Sequence, residues 1–250
     1  MSPVTTSLIV FACIFGGALL GIAIRARLPK EHLSPDTKDV VKLGIGLIAT
    51  MSALVLGLLI ASAKGSFDAQ RNEVVQMSAN VIFLDRVLAH YGPETKEVRT
   101  LLGRAVTTAI DRLWPADGAG VRELDTSGGV ENLYEKIQEL SPKTELQRTA
   151  QAQAIKIFTD IGQTRLLLFS QRGSSIPTPF LVILVFWLAL IFASFSLFAP
   201  ENATVIVTLF VCALSVAGAI LLILELDRPF GGFIQISSAP LRDALAQLGK

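Results

Sequence analysis

Four stretches without a single Asp, Glu, Lys or Arg divide the chain, at 1–24, 43–63, 173–200 and 202–224. A helix needs about 20 apolar residues to cross a hydrocarbon core roughly 30 Å thick, and each stretch meets that length. The pattern predicts four transmembrane helices, at about 5–24, 43–63, 178–198 and 203–226. It excludes a secreted domain, a free cytosolic enzyme and an outer-membrane barrel, whose strands would alternate over short segments. The loop from Arg25 to Asp39 carries Pro29 and Pro35, and the turn from Ala199 to Asn202 carries Pro200, which stops the third span. The spans therefore read as two antiparallel hairpins, 1–63 and 177–226, followed by a tail, 227–250.

The region between the hairpins, 64–176, holds 14 basic and 14 acidic residues and has helical periodicity. Val74, Met77, Val81, Leu84 and Leu88 recur at spacings of three and four, which makes one apolar face on a helix continuing span two without a break. Gly92-Pro93 ends that rod. A second helix carries Val98, Leu102, Ala105, Ala109 and Leu113 inward and stops at Trp114-Pro115, and a Gly-rich loop, Asp117 to Gly129, follows. A short helix from Val130 to Leu140 precedes Ser141-Pro142, an N-cap and first-turn pair expected to open a long helix with Leu146, Ala150, Ala154, Ile157 and Ile161 on its inner side. Gly173, Pro177 and Pro179 predict a kink or short linker before span three. The fold class is all-α: a polytopic membrane protein with a helical extramembrane bundle inserted between spans two and three.

Composition adds mainly exclusions. Charged residues are 17% of the chain, against about 25% in soluble domains. A net charge of +1 gives no global field for nucleic acid. Cys13 and Cys212 both fall inside spans and read as small apolar fillers. Residues 1–7 lack the positive region of a signal peptide, so the first span is expected to be retained.

No phosphate loop, HExxH, GxSxG or EF-hand sequence is present, and Gly118-Ala119-Gly120 lacks the third glycine of a dinucleotide fingerprint. His32 and His90 are the only histidines and read as solvated or capping residues. Glu131, Glu135 and Glu139 share a helix face with Lys136, a pattern that fits a salt-bridged solvated surface better than a cation ladder. The expectation is a protein without catalytic residues, metal or cofactor.

Span two carries the main functional candidates. Lys42, Gly46, Thr50, Ala53, Gly57, Ala61 and Lys64 fall within about a 100° arc at 100° per residue. Such a narrow, weakly polar side suits close helix packing, with Gly17 and Gly21 of span one as a matching seam. It suits equally a conduit between copies of span two, with lysine rings at its ends favouring anions. The opposite side, Ile48, Met51, Val55, Leu58 and Leu59, would face lipid or form a hydrophobic constriction. No span has a carboxylate at mid-depth, which disfavours a proton-coupled transporter. After span four, Asp227, Arg228, Pro229, Phe230 and Gly231 make an interfacial turn: a cation at the helix C-terminus, a proline that blocks continuation and glycines that permit reversal.

The Leu226-Asp227-Arg228-Pro229-Phe230-Gly231 run resembles the signature of a bestrophin-like family of four-span bacterial membrane proteins. Basic residues after span one, the amphipathic extension of span two and Leu113-Trp114-Pro115 extend the resemblance over nearly the whole chain. Ile236-Ser237-Ser238-Ala239-Pro240-Leu241 keeps Ser237 and Pro240 of a tail pattern but departs from it at Ser238, Ala239 and Leu241. The resemblance implies a bacterial inner-membrane protein related to bestrophins, which are pentameric anion channels with span two lining the pore. Bestrophin constrictions are aromatic-rich, whereas no Phe, Tyr or Trp lies between Lys42 and Lys64 here.

Orientation divides two arguments. Arg25, Arg27, Lys30 and Lys38 place the first loop in the cytoplasm and the inserted bundle outside, whereas the resemblance implies a cytoplasmic bundle. The favoured reading is a homo-oligomeric channel passing small anions in a lipid bilayer, with no nucleic-acid partner. The alternative is a non-conducting scaffold or envelope sensor that binds a partner through its helical stalk.

Overall fold

The computed structural model describes residues 2–29, 34–115, 129–170, 176–200 and 202–249. Lys30, His32, Arg172, Gly173 and the Gly-rich stretch at 117–128 lie outside the described residues. Those described form eight α-helices: α1 (Pro3–Arg25), α2 (Pro35–Tyr91), α3 (Lys96–Leu113), α4 (Gly129–Gln138), α5 (Glu145–Ser170), α6 (Thr178–Phe198), α7 (Ala203–Leu226) and α8 (Ala239–Gln247). Four of them, α1, α2, α6 and α7, are long and apolar enough to cross a membrane. The chain divides into two compact units, one of 1–66 with 174–227, the other of 67–173 with 228–250.

In the first unit α1 is the central helix. Val10, Ile14 and Ala18 pack with Phe192 of α6 and with Leu209, Ala213 and Ile220 of α7. Gly17 and Gly21 form a seam on the same broad face, and their partner is α6, not span two. A β-carbon at Gly17 would stand 2.7 Å from the Ala189 carbonyl oxygen, and one at Gly21 would collide with the Ala193 carbonyl. Two small-xxx-small pairs thus face each other, which lets the backbones approach where lipid supplies no hydrophobic drive for association. Because both registers advance together, α1 and α6 run parallel. Ser7 near the start of α1 donates from Oγ to the Ala217 carbonyl of α7, 2.7 Å away, while Phe11 and Phe15 further along α1 meet Phe210 earlier in α7, so those two helices run antiparallel. The residues of α2 pack at its two ends on opposite ends of α6: Leu59 and Ala63 cluster with Leu184, while Lys38 to Ala49 lie beside Ser194 to Ala199. Direction therefore alternates from span to span, as four membrane crossings require.

The helix ends follow local chemistry. Ser2 Oγ accepts from the Thr5 amide at 3.1 Å and Asn202 Oδ1 from the Val205 amide at 2.9 Å, so each caps its helix. Pro177 precedes α6 in an extended conformation.

The second unit is built on the apolar side of α2. Val74, Met77, Val81, Leu84 and Leu88 are all buried, in one core with Val98, Leu102, Leu113, Leu133, Ala154 and Ile157. At Gly92 the backbone takes φ +137°, a conformation side chains resist, and the chain reverses into a single 3₁₀ turn. Thr95 Oγ1 donates to the carbonyls of Leu88 and Gly92, at 2.6 and 2.8 Å, and so satisfies acceptors left open at the end of α2. Across the turn, Arg99 grips Asp85 with two hydrogen bonds of 2.7 and 2.8 Å. The Asp85 side chain is 2% exposed and that of Arg99 21%. These bonds raise the Arg99 pKa above its ordinary value, against the opposing effect of burial. The Gly249 amide adds a third donor to Asp85, at 3.3 Å.

Three expectations change. The long helix α5 opens at Glu145, not at Ser141-Pro142, because Thr144 is its cap: Thr144 Oγ1 accepts from the Gln147 amide at 3.2 Å, and Gln147 Oε1 accepts from the Lys143 amide at 2.8 Å. Leu146 is exposed, because the inward register belongs to Gln147 and Gln151. Their side-chain amides donate to the Tyr91 carbonyl and to the Ile137 and Leu140 carbonyls at the end of α4. On α3 the buried line runs Val98, Leu102, Val106, Ile110 and Leu113, which leaves Ala105 and Ala109 at its margin.

Two outcomes test this packing. Gly21→Val should destabilise the detergent-solubilised protein by about 1–3 kcal/mol through overpacking against α6, read as a lowered unfolding midpoint, whereas the same change at Gly16, whose surroundings are open, should cost far less. Asp85→Ala should cost about 3–5 kcal/mol, towards the lower end because Arg99 keeps some solvent access. A denaturant midpoint unchanged from wild type would show the pair to be dispensable.

Candidate functional site

Seven residues of α2 form the candidate surface, and the structure leaves every one of them exposed: Lys42, Gly46, Thr50, Ala53, Gly57, Ala61 and Lys64. A β-carbon added at Gly46 or Gly57 would meet nothing within 4 Å. The small residues are thus not consumed in packing within the chain. The span instead turns Ile45, Ser52, Leu59 and Ala63 inward, a face about a third of a turn away from the small-residue arc. Leu59 packs with Leu184 and Ile223, and Val55 is partly buried beside them, so part of the side opposite the arc belongs to the chain's own helices. Of the apolar window of α2 only 17% is buried, against 28% in each of the other three spans.

Two hydroxyls along this span are satisfied by the helix itself. Thr50 Oγ1 donates to the Gly46 carbonyl at 2.9 Å and Ser52 Oγ to that of Ile48 at 2.8 Å. Such back-bonding lets the arc stay weakly polar without a buried unmet donor. Near the start of α2, Lys42 lies 3.7 Å from Asp39, an exposed pair that contributes little to stability. Lys42 and Gly46 also border an open cavity of about 310 Å³ between α2 and α6, lined on the α6 side by Phe195 and Phe198.

The turn after α7 is the second candidate region. Asp227 ends α7, its amide donating to the Ile223 carbonyl at 3.2 Å. Beyond it the Gly231 amide donates to the Arg228 carbonyl at 3.1 Å, Gly232 takes φ +95°, and the Ile236 amide returns to the Pro229 carbonyl at 2.7 Å. This loop sets Phe230 edge-on to Trp114, with ring centroids 5.4 Å apart, and brings the Ile236 carbonyl to the indole Nε1 at 2.7 Å. The two short runs that stand out in the sequence, Leu113-Trp114-Pro115 and Asp227 to Gly231, therefore meet through Trp114. Leu241 and Ala244 of α8 continue the same packing into the core of the second unit.

Other sequence candidates take structural places. His90 Nδ1 lies 2.7 Å from the Arg86 carbonyl, at the end of α2. Lys136 bonds to Glu139 at 2.8 Å on an exposed face, and that bond raises the lysine pKa. Among the described residues no group of three or more His, Cys, Asp or Glu side chains is placed to hold a metal ion. The buried Glu225, 3% exposed in the last turn of α7, escapes a reading of the sequence, where it looks like a residue at the water interface.

No curated protein and no solved structure matches the chain. A family model described as the Bestrophin-like domain matches residues 12–241, a range that takes in the larger part of the first span, the other three spans, the helices between them and the turn on Trp114. The chain is a multi-pass membrane protein and belongs to the Bestrophin-like family.

Proposed function

We propose that this protein is a homo-oligomeric channel for small anions, with α2 of each copy nearest the axis. The observation that carries the reading is the poor coverage of α2 by its own chain, greatest along the arc from Lys42 to Lys64. A span surrounded by lipid has no use for a line of glycine, alanine and threonine, whereas neighbouring copies of the same helix can approach along it and leave a narrow conduit. Lys42 and Lys64 then stand at opposite ends of that conduit and raise the local concentration of anions. Family membership supports the reading, since bestrophins conduct anions through a pore lined by their second span. Selectivity here rests on lysine charge and pore width, because the arc carries no aromatic ring. The positive-inside rule places the end of α1 with Arg25 and Arg27 in the cytoplasm of the host cell.

Purified protein in liposomes tests this directly. Chloride flux should exceed that of a large organic anion, and Lys42→Glu or Lys64→Glu should reduce the chloride preference several-fold while the oligomer size stays unchanged. A monomer in mild detergent and in nanodiscs would remove the basis for a pore. An intact oligomer without flux would favour a non-conducting scaffold, in which the helical unit at 67–173 binds a partner.

A further inference from the structure

The open cavity of about 310 Å³ beside the start of α2 has its apolar and charged walls in a definite order. It exists because α2 is thin there: Gly46 and Ala49 line it opposite Phe195 of α6, and a β-carbon added at Gly46 would meet nothing within 4 Å. Along α2 the lining runs from Lys38 to Ala49, which is about 16 Å at 1.5 Å per residue. That is the depth of one leaflet of a hydrocarbon core roughly 30 Å thick. Lys38 and Lys42 stand at the outer end, and inward from them the wall continues with Ile45, Gly46 and Ala49. On the α6 side Phe198 stands at the helix end and Phe195 one turn deeper. Lys38 is half-buried, and among the described residues its ammonium takes part in no hydrogen bond or ion pair. Lys42 is held by Asp39 at 3.7 Å, in a well-exposed pair that water weakens.

A groove one leaflet deep, apolar within and with an unengaged ammonium at its mouth, is the complement of a molecule that joins an acyl chain to a phosphate. We infer that it binds a membrane glycerophospholipid, with one acyl chain between α2 and α6 and the phosphate on Lys38. The chain by itself gives no selectivity, because leaving lipid tails for an equally apolar wall gains little. Selectivity rests on the charge-assisted hydrogen bond from the lysine to a phosphate oxygen, and a basic pocket between spans is a known setting for lipid head groups. Zwitterionic and anionic phospholipids share that phosphate, so the site needs no net charge on the lipid. The groove lies on the flank of the Lys42 to Lys64 arc nearest α6, and the inference holds whether or not the protein conducts.

The experiment uses the full chain in phosphatidylcholine nanodiscs that contain a small share of one of two probes: a phosphatidylcholine with a photoreactive group near the end of one acyl chain, or a diacylglycerol with the same chains and no phosphate. After irradiation, phospholipid adducts at 41–49 and 194–199 should exceed several-fold those on the exposed α7 stretch at 206–214, which reports ordinary lipid contact. The diacylglycerol should label the groove several-fold less than the phospholipid, and inorganic phosphate in the buffer should displace neither. Lys38→Gln should bring phospholipid labelling of the groove down to the diacylglycerol level, Lys38→Arg should retain most of it, and Ala49→Phe should abolish it by filling the space. Lys42 is left unchanged, so a failure of the channel reading and a failure of this one stay distinct. Helicity and oligomer size report whether each variant is folded, and should Ala49→Phe fail that check, the Lys38 variants decide the matter. Four results would each overturn the proposal. Groove adducts no more frequent than those on α7 would leave the groove to a second copy or to ordinary lipid contact, and equal labelling by the diacylglycerol would remove the phosphate from recognition. Displacement by inorganic phosphate would make it an ion site, and undiminished labelling in folded Lys38→Gln would remove the lysine.

Discussion

Within the membrane unit the close approach of α1 to α6 is the contact on which the other helices depend. Lipid tails are as apolar as leucine, so helices in a bilayer associate through shape and polar contacts. Gly17 and Gly21 against Ala189 and Ala193 supply the shape. Once those backbones touch, the same broad face of α1 presents Val10, Ile14 and Ala18 to Phe192 of α6 and to α7, and the Ser7 hydroxyl finds the Ala217 carbonyl. That hydrogen bond has no competitor in hydrocarbon, and it locks the axial register of α7. Larger residues at 17 and 21 would push α1 outward and break both relations at once.

Different physics holds the helical unit together. There the apolar side of α2 can be removed from water, and burial of leucine, valine and isoleucine dominates. Polar groups determine which way the helices turn. The pairing of Asp85 and Arg99 joins α2 to α3 across the Gly92 reversal, and Gln147 and Gln151 tie α5 to the ends of α2 and α4. The tail from Arg228 onward belongs to this unit, since Phe230, Ile236, Leu241 and Ala244 all contribute to its core or its margin. Trp114 is the point at which the tail is read, by ring contact and by hydrogen bond together.

The spans, the continuity of α2 as far as Tyr91 and the inner face at Val74 to Leu88 were legible in the sequence because each rests on a repeated local rule. Length and charge exclusion define a span, and a spacing of three and four defines a buried face. The glycines of α1 were legible as a seam, but not their partner, since a small-residue pair states only that something comes close. The start of α5 was misplaced because Ser141-Pro142 and Thr144 both satisfy capping preferences, and only the hydrogen bonds of Gln147 distinguish them. Glu225 and the docking of the tail on Trp114 were not legible, for both depend on contacts between residues distant in sequence.

The exposed arc on α2 gains its meaning from the contrast with α1. Both helices carry glycines at spacings that permit close approach, and both lie in the same apolar surroundings. In α1 the seam is filled by α6, and a single added carbon would strike backbone. In α2 the glycines at 46 and 57 face open space, although bulkier neighbours would bury more surface against lipid at no steric cost. A glycine in a helix costs about 1 kcal/mol relative to alanine in water, and it is tolerated more readily in a membrane span, where small residues mark helix contacts. On the oligomeric reading proposed above, the small residues of this uncovered span belong to a surface that another copy of the same helix completes.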